Sequence, residues 1–153
     1  MAEPIHYIDT IYYDLALTAN LMKTLGIQLF EQLELGISPL EHATLDTIYC
    51  NEGICQRDLA KLILKDRANT GRILDSLEEK GLITRFIDLK NNRLVKKMQV
   101  TESGQLKLEE INEKIQCYLK SINNQISEEE IAQLQTSLQK FQNKLLEVVD
   151  THI

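Results

Sequence analysis

Residues 55–100 decide the fold of this chain, and they read CQRDLAKLILKDRANTGRILDSLEEKGLITRFIDLKNNRLVKKMQV. The first part predicts a short helix over residues 56–63, whose inward-facing residues are Leu59, Leu62 and Ile63. Asp66 follows in a polar turn and is a good N-cap for a second helix, from Arg67 to about Lys80. Gly81 stands where a left-handed residue ends such a helix. The stretch therefore predicts two short helices joined by a tight turn.

A β-hairpin is predicted directly after this helix pair. Residues 82–87 are β-branched and aromatic, residues 88–92 are rich in turn formers, and residues 93–100 alternate in polarity. In the second strand, one face carries Leu94, Met98 and Val100. A helix–turn–helix followed by a two-stranded wing is a winged-helix module.

Long amphipathic helices flank this module on both sides. Apolar residues recur at steps of three and four from Ile5 to Leu33 and predict one long helix that stops at Gly36. Ser38-Pro39-Leu40-Glu41 predicts a capping box for a second helix, with a buried face of Leu45, Ile48 and Tyr49. Thr101 caps a fifth helix, and the box Ser127-Glu128-Glu129-Glu130 opens a last one.

The fold class is therefore mainly α with a small β-wing: a winged helix–turn–helix with long N- and C-terminal dimerisation helices. The apolar stripes of the first and last helices are too long for one small winged helix to cover, so the sequence predicts a partner for them.

Charge is divided unevenly along the chain. The net charge is −6 over 153 residues, which taken alone argues against a polyanion partner. Residues 53–104, however, hold eleven Lys or Arg against seven Asp or Glu, a local charge of +4, and the rest carries −10. The positive charge is therefore concentrated in the segment with the geometry of a DNA reader.

Several classes of protein are disfavoured by the composition. There is no run of about 18 apolar residues and no basic segment leading into an apolar run, so neither a membrane span nor a signal peptide is predicted. We accordingly expect a cytoplasmic protein. Three cysteines, Cys50, Cys55 and Cys117, imply no disulfide framework there. No nucleophile–base signature or phosphate-binding glycine loop points to an enzyme, and no cofactor is expected.

The candidate DNA contacts follow from position on the helices. Arg67, Asn69 and Arg72 occupy the first turns of the second helix, where Arg pairs with guanine and Asn with adenine. Gln56 and Arg57 begin the preceding helix and suit phosphates. The predicted contacts are Gln56, Arg57, Arg67, Ala68, Asn69, Thr70 and Arg72, together with Lys90 and Arg93 of the wing tip.

Residues 59–78, LAKLILKDRANTGRILDSLE, resemble the helix–turn–helix of MarR-type transcriptional regulators. Glu79-Lys80-Gly81-Leu82-Ile83-Thr84-Arg85 is similar to that family's entry into the wing, and Val100-Thr101-Glu102-Ser103-Gly104 to the close of the wing. The resemblance implies an obligate homodimer that reads a pseudo-palindromic operator in double-stranded DNA, usually as a repressor released by a ligand. The family's wing tip commonly reads Asp-Arg-Arg, whereas this chain has Asn91-Asn92-Arg93.

The expected organisation is a single MarR-like domain over residues 1–153. Within it, residues 5–35 and 105–150 would form the dimerisation helices, and residues 38–104 the DNA-binding lobe. The lobe would contain the helix–turn–helix at residues 55–80 and the wing at residues 83–100.

Alternatives to this interpretation stay open at the level of sequence. The winged helix could serve protein–protein interaction without DNA, or an unrecognised enzyme site could lie between the helices. Thiol sensing by a cysteine is disfavoured because the first helix contains none. A metal site at Glu41-His42 is disfavoured because residues 104–123 contain no His. Tyrosines and methionines of the first helix could line a pocket for an aromatic effector. The operator, the target genes, the effector and the choice between repression and activation are left open.

Overall fold

The structure is a computed structural model and describes residues 3–149. A 3₁₀ turn at Tyr7–Asp9 precedes six helices and a two-stranded sheet: α1 (Ile11–Gln32), α2 (Pro39–Cys50), α3 (Gln56–Leu62), α4 (Arg67–Glu79), β1 (Ile83–Lys90), β2 (Arg93–Val100), α5 (Glu102–Asn123) and α6 (Glu128–Val148). The winged-helix fold class is confirmed. The chain divides into two compact units, one ending at His42 and the other beginning at Ala43. The predicted single-domain organisation stays a prediction, and its residues 1–2 and 150–153 lie outside the described range.

The first unit contains a break that the apolar periodicity did not show. The prediction of one continuous helix from Ile5 is wrong, because Thr10 has extended backbone and caps α1, accepting a hydrogen bond from the Tyr13 N–H at 3.4 Å. The helix also ends earlier than Gly36, at Gln32, and Glu34 follows with a φ of +49°. A local capping side chain thus overrides a stripe that continues in register.

The start of α2 is confirmed as a capping box. The Glu41 N–H donates to Ser38 Oγ at 3.1 Å, and the Ser38 N–H donates to Glu41 Oε2 at 2.7 Å. These bonds satisfy backbone donors that a helix start would leave without partners. Leu45 and Ile48 are buried as predicted, but Tyr49 is exposed and does not belong to the buried face.

The core of the second unit lies beneath the helix–turn–helix and the base of the wing. Its fully buried side chains include Leu59 of α3, Leu74 and Leu77 of α4, Ile83 of β1 and Met98 of β2. Leu62, the last residue of α3, was expected to face inward and is instead exposed. Asp66 caps α4 as predicted, and Gly81 follows that helix with a φ of +72°.

The wing is a tighter hairpin than the sequence predicted. β1 continues to Lys90, which pairs directly with Arg93, so the turn consists only of Asn91 and Asn92. Both have positive φ, at 51° and 60°, which is the geometry of a two-residue turn that matches the twist of its strands. The predicted five-residue tip at 88–92 is therefore wrong, because asparagine tolerates the left-handed region in which both turn residues must lie.

The wing is joined to the helices at its base. On the outer side of β2, Cys55 forms a bridge with Lys97, and the Met98 N–H donates to the Ile54 carbonyl at 3.2 Å. Thr101 caps α5, as predicted, by accepting from the Gly104 N–H at 3.0 Å, and its own hydroxyl donates to the Gly81 carbonyl at 2.7 Å. These bonds fix where the wing leaves and re-enters the helical framework.

The last helix, α6, is capped but has no buried residue. Both reciprocal bonds of the predicted Ser127–Glu130 box are present, at 3.2 and 2.8 Å. Along its 21 residues no side chain is buried, and Leu134, Leu145 and Val148 are among the exposed apolar residues. Among the described residues, no helix is long and apolar enough to cross a membrane.

Candidate nucleic-acid interface

A basic groove of about 750 Å³ runs between the helix–turn–helix and the tip half of the wing. From the helices it is lined by Gln56 and Arg57, at the start of α3, and by Arg67, at the start of α4. From the wing it is lined by residues that include Lys90, Arg93 and Lys96. Since Cys55 pairs with β2 only at Lys97, the strand edge beyond that point is left open along the groove. Five of the predicted contacts therefore line one concave surface.

The first turn of α4 is held by Asp66. Its carboxylate accepts from the Asn69 backbone N–H at 2.8 Å and from Asn69 Nδ2 at 2.9 Å. The backbone bond to Asn69, the largest cause, lowers the pKa of Asp66 below its ordinary value, so the cap is charged at neutral pH. Nδ2 retains a second hydrogen and the amide oxygen is not used in this bond, so the adenine-reading edge of Asn69 stays available.

Four exposed residues lie on the first two turns of α4, namely Arg67, Ala68, Asn69 and Arg72. Thr70, also a predicted contact, is fully buried, and its hydroxyl donates to the Asp66 carbonyl at 2.8 Å. The prediction that the Thr70 side chain contacts DNA is therefore wrong. It lies one residue beyond Asn69 on the helix, and at 100° per residue that step turns it toward the core.

Lys90 has an intramolecular partner that the sequence did not reveal. Its ammonium lies 2.5 Å from Asp58 Oδ2 of α3 and 3.8 Å from Cys55 Sγ. The Cys55 thiol in turn donates to the same Asp58 oxygen at 3.1 Å, so this N-cap residue makes no side-chain cap of α3. The hydrogen bond from Lys90 lowers the pKa of Asp58, and the same bond raises the pKa of Lys90, so both are charged at neutral pH.

Further acids of the second unit are bound to specific cations. Arg85 of β1 contacts Asp75 at 2.7 Å and Glu78 at 3.0 Å, both on α4, and Lys97 contacts Asp88 at 2.9 Å within the hairpin. The hydrogen bond from Arg85 lowers the pKa of Glu78. No sequence pattern singles out these pairs, because the partners on β1 and α4 are seven and ten residues apart.

Most cations of the groove and of the recognition helix, by contrast, are not bound to an acid. Within residues 3–149, no ion pair engages Arg57, Arg67, Arg72, Arg93 or Lys96. Because most nearby acids are bound elsewhere, the uncompensated positive charge faces the groove and the exposed side of α4. Such a surface attracts a polyanion.

The three cysteines and the Glu41-His42 pair were the candidates for thiol or metal chemistry. Cys50, Cys55 and Cys117 are all free, so Cys50 and Cys55 do not pair. The carboxylate of Glu41 is used in the α2 capping box. Over residues 3–149 there is no group of three His, Cys, Asp or Glu side chains that could hold a metal ion.

This chain is similar in sequence and in fold to known regulators of transcription. Residues 37–95 match the sequence model of the MarR family. MepR of S. aureus, solved in complex with DNA, is 27% identical with a TM-score of 0.74; the match covers 92% of this chain and 99% of MepR. The transcriptional regulator SlyA is 28% identical with a TM-score of 0.73, covering 90% of this chain and 94% of SlyA. MarR itself, at 20% identity and a TM-score of 0.73, has the same fold over 97% of this chain and 96% of its own.

Proposed function

Because the chain carries a MarR-family winged-helix domain at residues 37–95, we propose that it is a sequence-specific regulator of transcription that binds double-stranded DNA. We further propose that it acts as a homodimeric repressor. The observation that carries the proposal is the basic groove between α3, α4 and the wing, with its uncompensated arginines. MepR, a similar chain, has been solved with DNA bound.

In this proposal the exposed start of α4 enters the major groove. Arg67, Asn69 and Arg72 read base edges, and Ala68 allows close approach beside them. Gln56 and Arg57 bind phosphates on the flank, and Arg93 reaches the backbone or minor groove next to the major-groove site. Lys90 has a secondary role, since its ammonium is already paired with Asp58.

Dimerisation is supported by apolar surface that a single chain leaves uncovered. Leu134, Leu145 and Leu146 of α6 are each at least half exposed, as are Leu21 and Met22 of α1. Exposed apolar surface of this extent is typical of an interface. We propose that a second copy covers it, which would place two recognition helices about 34 Å apart on a pseudo-palindromic operator. The predicted dimerisation ranges, 5–35 and 105–150, are retained in this proposal.

The proposal also includes a small-molecule effector. Tyr12 and Met22 of α1 are exposed in the single chain and could line an aromatic-ligand site once the dimer forms. We propose the cytoplasm as the protein's compartment, as expected from the sequence.

Selection of bound sequences from a random pool of duplex DNA tests the proposal. We expect one pseudo-palindromic motif to be enriched by the wild-type protein. Arg72→Ala should weaken binding to that motif about 30-fold or more, because a dimer loses two bidentate base contacts that contribute about 1–3 kcal/mol each. Binding to random duplex should change much less. No complex with any duplex at low salt would instead favour a protein–protein interaction module.

The proposed dimer is tested by adding charge to α6. Leu134→Lys/Leu145→Lys should shift the protein from dimer to monomer in sedimentation velocity, since it places charge in the predicted apolar interface. Gln135→Lys/Gln139→Lys is the matched control, because it adds the same two charges at exposed polar positions of the same helix. A dimer that persists in the double variant would show that α6 is not part of the interface.

Asp58→Asn tests whether the ion pair with Asp58 keeps Lys90 from binding DNA. An exposed ion pair contributes only about 0–1 kcal/mol, and the wing is also held by Arg85 and by the Cys55–Lys97 bridge. Removing the carboxylate should therefore tighten DNA binding and make its salt dependence steeper by about two in a dimer, because each Lys90 becomes available to a phosphate. Fluorescence anisotropy over a KCl series measures both. Weaker binding would mean that Asp58 positions the wing.

A further inference from the structure

The wing tip carries an exposed group of large apolar side chains, which we call the wing-tip apolar cluster: Ile87, Leu89 and Leu94. Their exposed fractions are 67%, 62% and 75%. Leu89 and Leu94 are direct cross-strand partners, so their side chains lie side by side on the same face of the hairpin. The contact between Leu89 and Leu94 leaves most of each side chain exposed, so the cluster offers apolar surface to a partner.

The strand register shows which face the cluster occupies. Alternate residues of a strand share a face, so Ile87 and Leu89 lie on the side of Ile83 and Arg85. At the base of the wing that side is directed at α4, since Ile83 is buried and Arg85 binds Asp75 and Glu78 of that helix. The cluster therefore extends the recognition-helix side of the wing beyond the reach of α4.

The surroundings of the cluster match a nucleic acid. Leu94 lines the basic groove together with Arg67 and Arg93. Lys96 lies on the same face as the cluster, directly across from Ile87. The turn ends in two exposed asparagines, and amide side chains suit the acceptors on the floor of the minor groove. An apolar surface bordered by cations and amides fits the minor groove, where apolar side chains contact the sugars and base steps.

We propose that the wing-tip apolar cluster packs into the minor groove of the bound duplex. There it contacts the deoxyribose walls and supplies a part of the affinity that does not depend on salt. The inference rests on the proposed DNA-binding function and assigns to the wing an apolar contact in addition to that of Arg93. A minor-groove contact made mainly by aliphatic side chains also fits a tip that reads Asn91-Asn92-Arg93.

The experiment compares Leu89→Thr/Leu94→Thr with wild type on the duplex that wild type selects from a random pool. Threonine keeps the preference for a strand and removes most of the apolar contact. We expect the Kd to rise about tenfold at every KCl concentration, with the slope of log Kd against log salt unchanged, because burial of apolar surface releases no counterions. Hydroxyl-radical footprinting should show lost protection of the sugars in the flanking minor groove.

Leu62→Thr is the matched control, because Leu62 is 57% exposed on α3 and does not line the groove. It should leave Kd and footprint unchanged. A double variant that binds as wild type does, or that changes only the salt slope, overturns the inference. So does a drop to a smaller species in sedimentation velocity, which would make the cluster a contact between copies. If wild type binds no duplex, the proposed function itself fails. Thermal unfolding confirms that the variants are folded, and Leu94→Thr alone serves if the double variant is not.

Discussion

Replacing Gly104 by alanine should destabilise the protein by about 3 kcal/mol, because the first turn of α5 has no room for a side chain at that position. A Cβ on Gly104 would lie 2.2 Å from the Leu82 carbonyl oxygen and 2.7 Å from Val100 Cγ1. The Leu82 oxygen cannot move away easily, since it also accepts the Thr101 N–H at 3.0 Å. Urea unfolding followed by circular dichroism measures the loss.

Gly71→Ala, at a second helical glycine, should have the opposite effect on stability. A Cβ there would lie 3.7 Å from Gln56 Nε2, which is an ordinary contact. Alanine has a higher helix propensity than glycine by about 1 kcal/mol, so this variant should be more stable than wild type. Equal stability of Gly104→Ala and wild type would show that the wing and α5 are packed less closely than the structure has them.

Raising KCl from 50 to 200 mM should weaken DNA binding by about 10³–10⁵-fold, the range for a protein that contacts roughly 6–10 phosphates. The cations without an ion-pair partner in the described part of the second unit include Arg57, Arg93 and Lys96, which are not assigned to base edges. Two protomers on one duplex bring enough of these side chains to phosphates to reach that number. Anisotropy titrations with labelled duplex at several salt concentrations measure the slope.

Arg93→Ala measures how much the wing contributes to the salt dependence of DNA binding. Each lost phosphate contact lowers the slope by about 0.9, so a dimer that loses two should have a slope smaller by about two. Affinity should fall by a similar factor on selected and random duplex, unlike the sequence-dependent loss expected for Arg72→Ala. An unchanged slope would remove Arg93 from the contacts. A slope near zero in wild type would contradict the assignment of the basic groove to DNA.

Local capping could be predicted from the sequence with accuracy. Ser38 and Glu41, Asp66 and Asn69, and Thr101 and Gly104 each bond across three residues, so the residue types and their spacing contain the whole interaction. The element order and the exposed start of α4 followed from the same signals. Of the predicted DNA contacts on α4, all are exposed except Thr70.

Contacts between distant segments could not be predicted. Asp58 and Lys90 are 32 residues apart, and their pairing depends on where the hairpin crosses the start of α3. The two-residue turn at Asn91-Asn92 depends on strand register, since the turn formers within residues 88–92 are compatible with several turn lengths. The burial of Thr70 and the exposure of Leu62 depend on which neighbours cover each helix face.

The chain has a net charge of −6, with a basic segment at residues 53–104, and the sequence alone determined that this segment is a helix–turn–helix with a wing. Caps, turns and periodicity are interactions between near neighbours, so the order of residues suffices to define them. Only the tertiary structure decided which charges face outward, because ion pairs such as Arg85 with Glu78 form between elements that meet through packing. It also decided that Ile87, Leu89 and Leu94 stay uncovered, since burial depends on the shape of the whole unit.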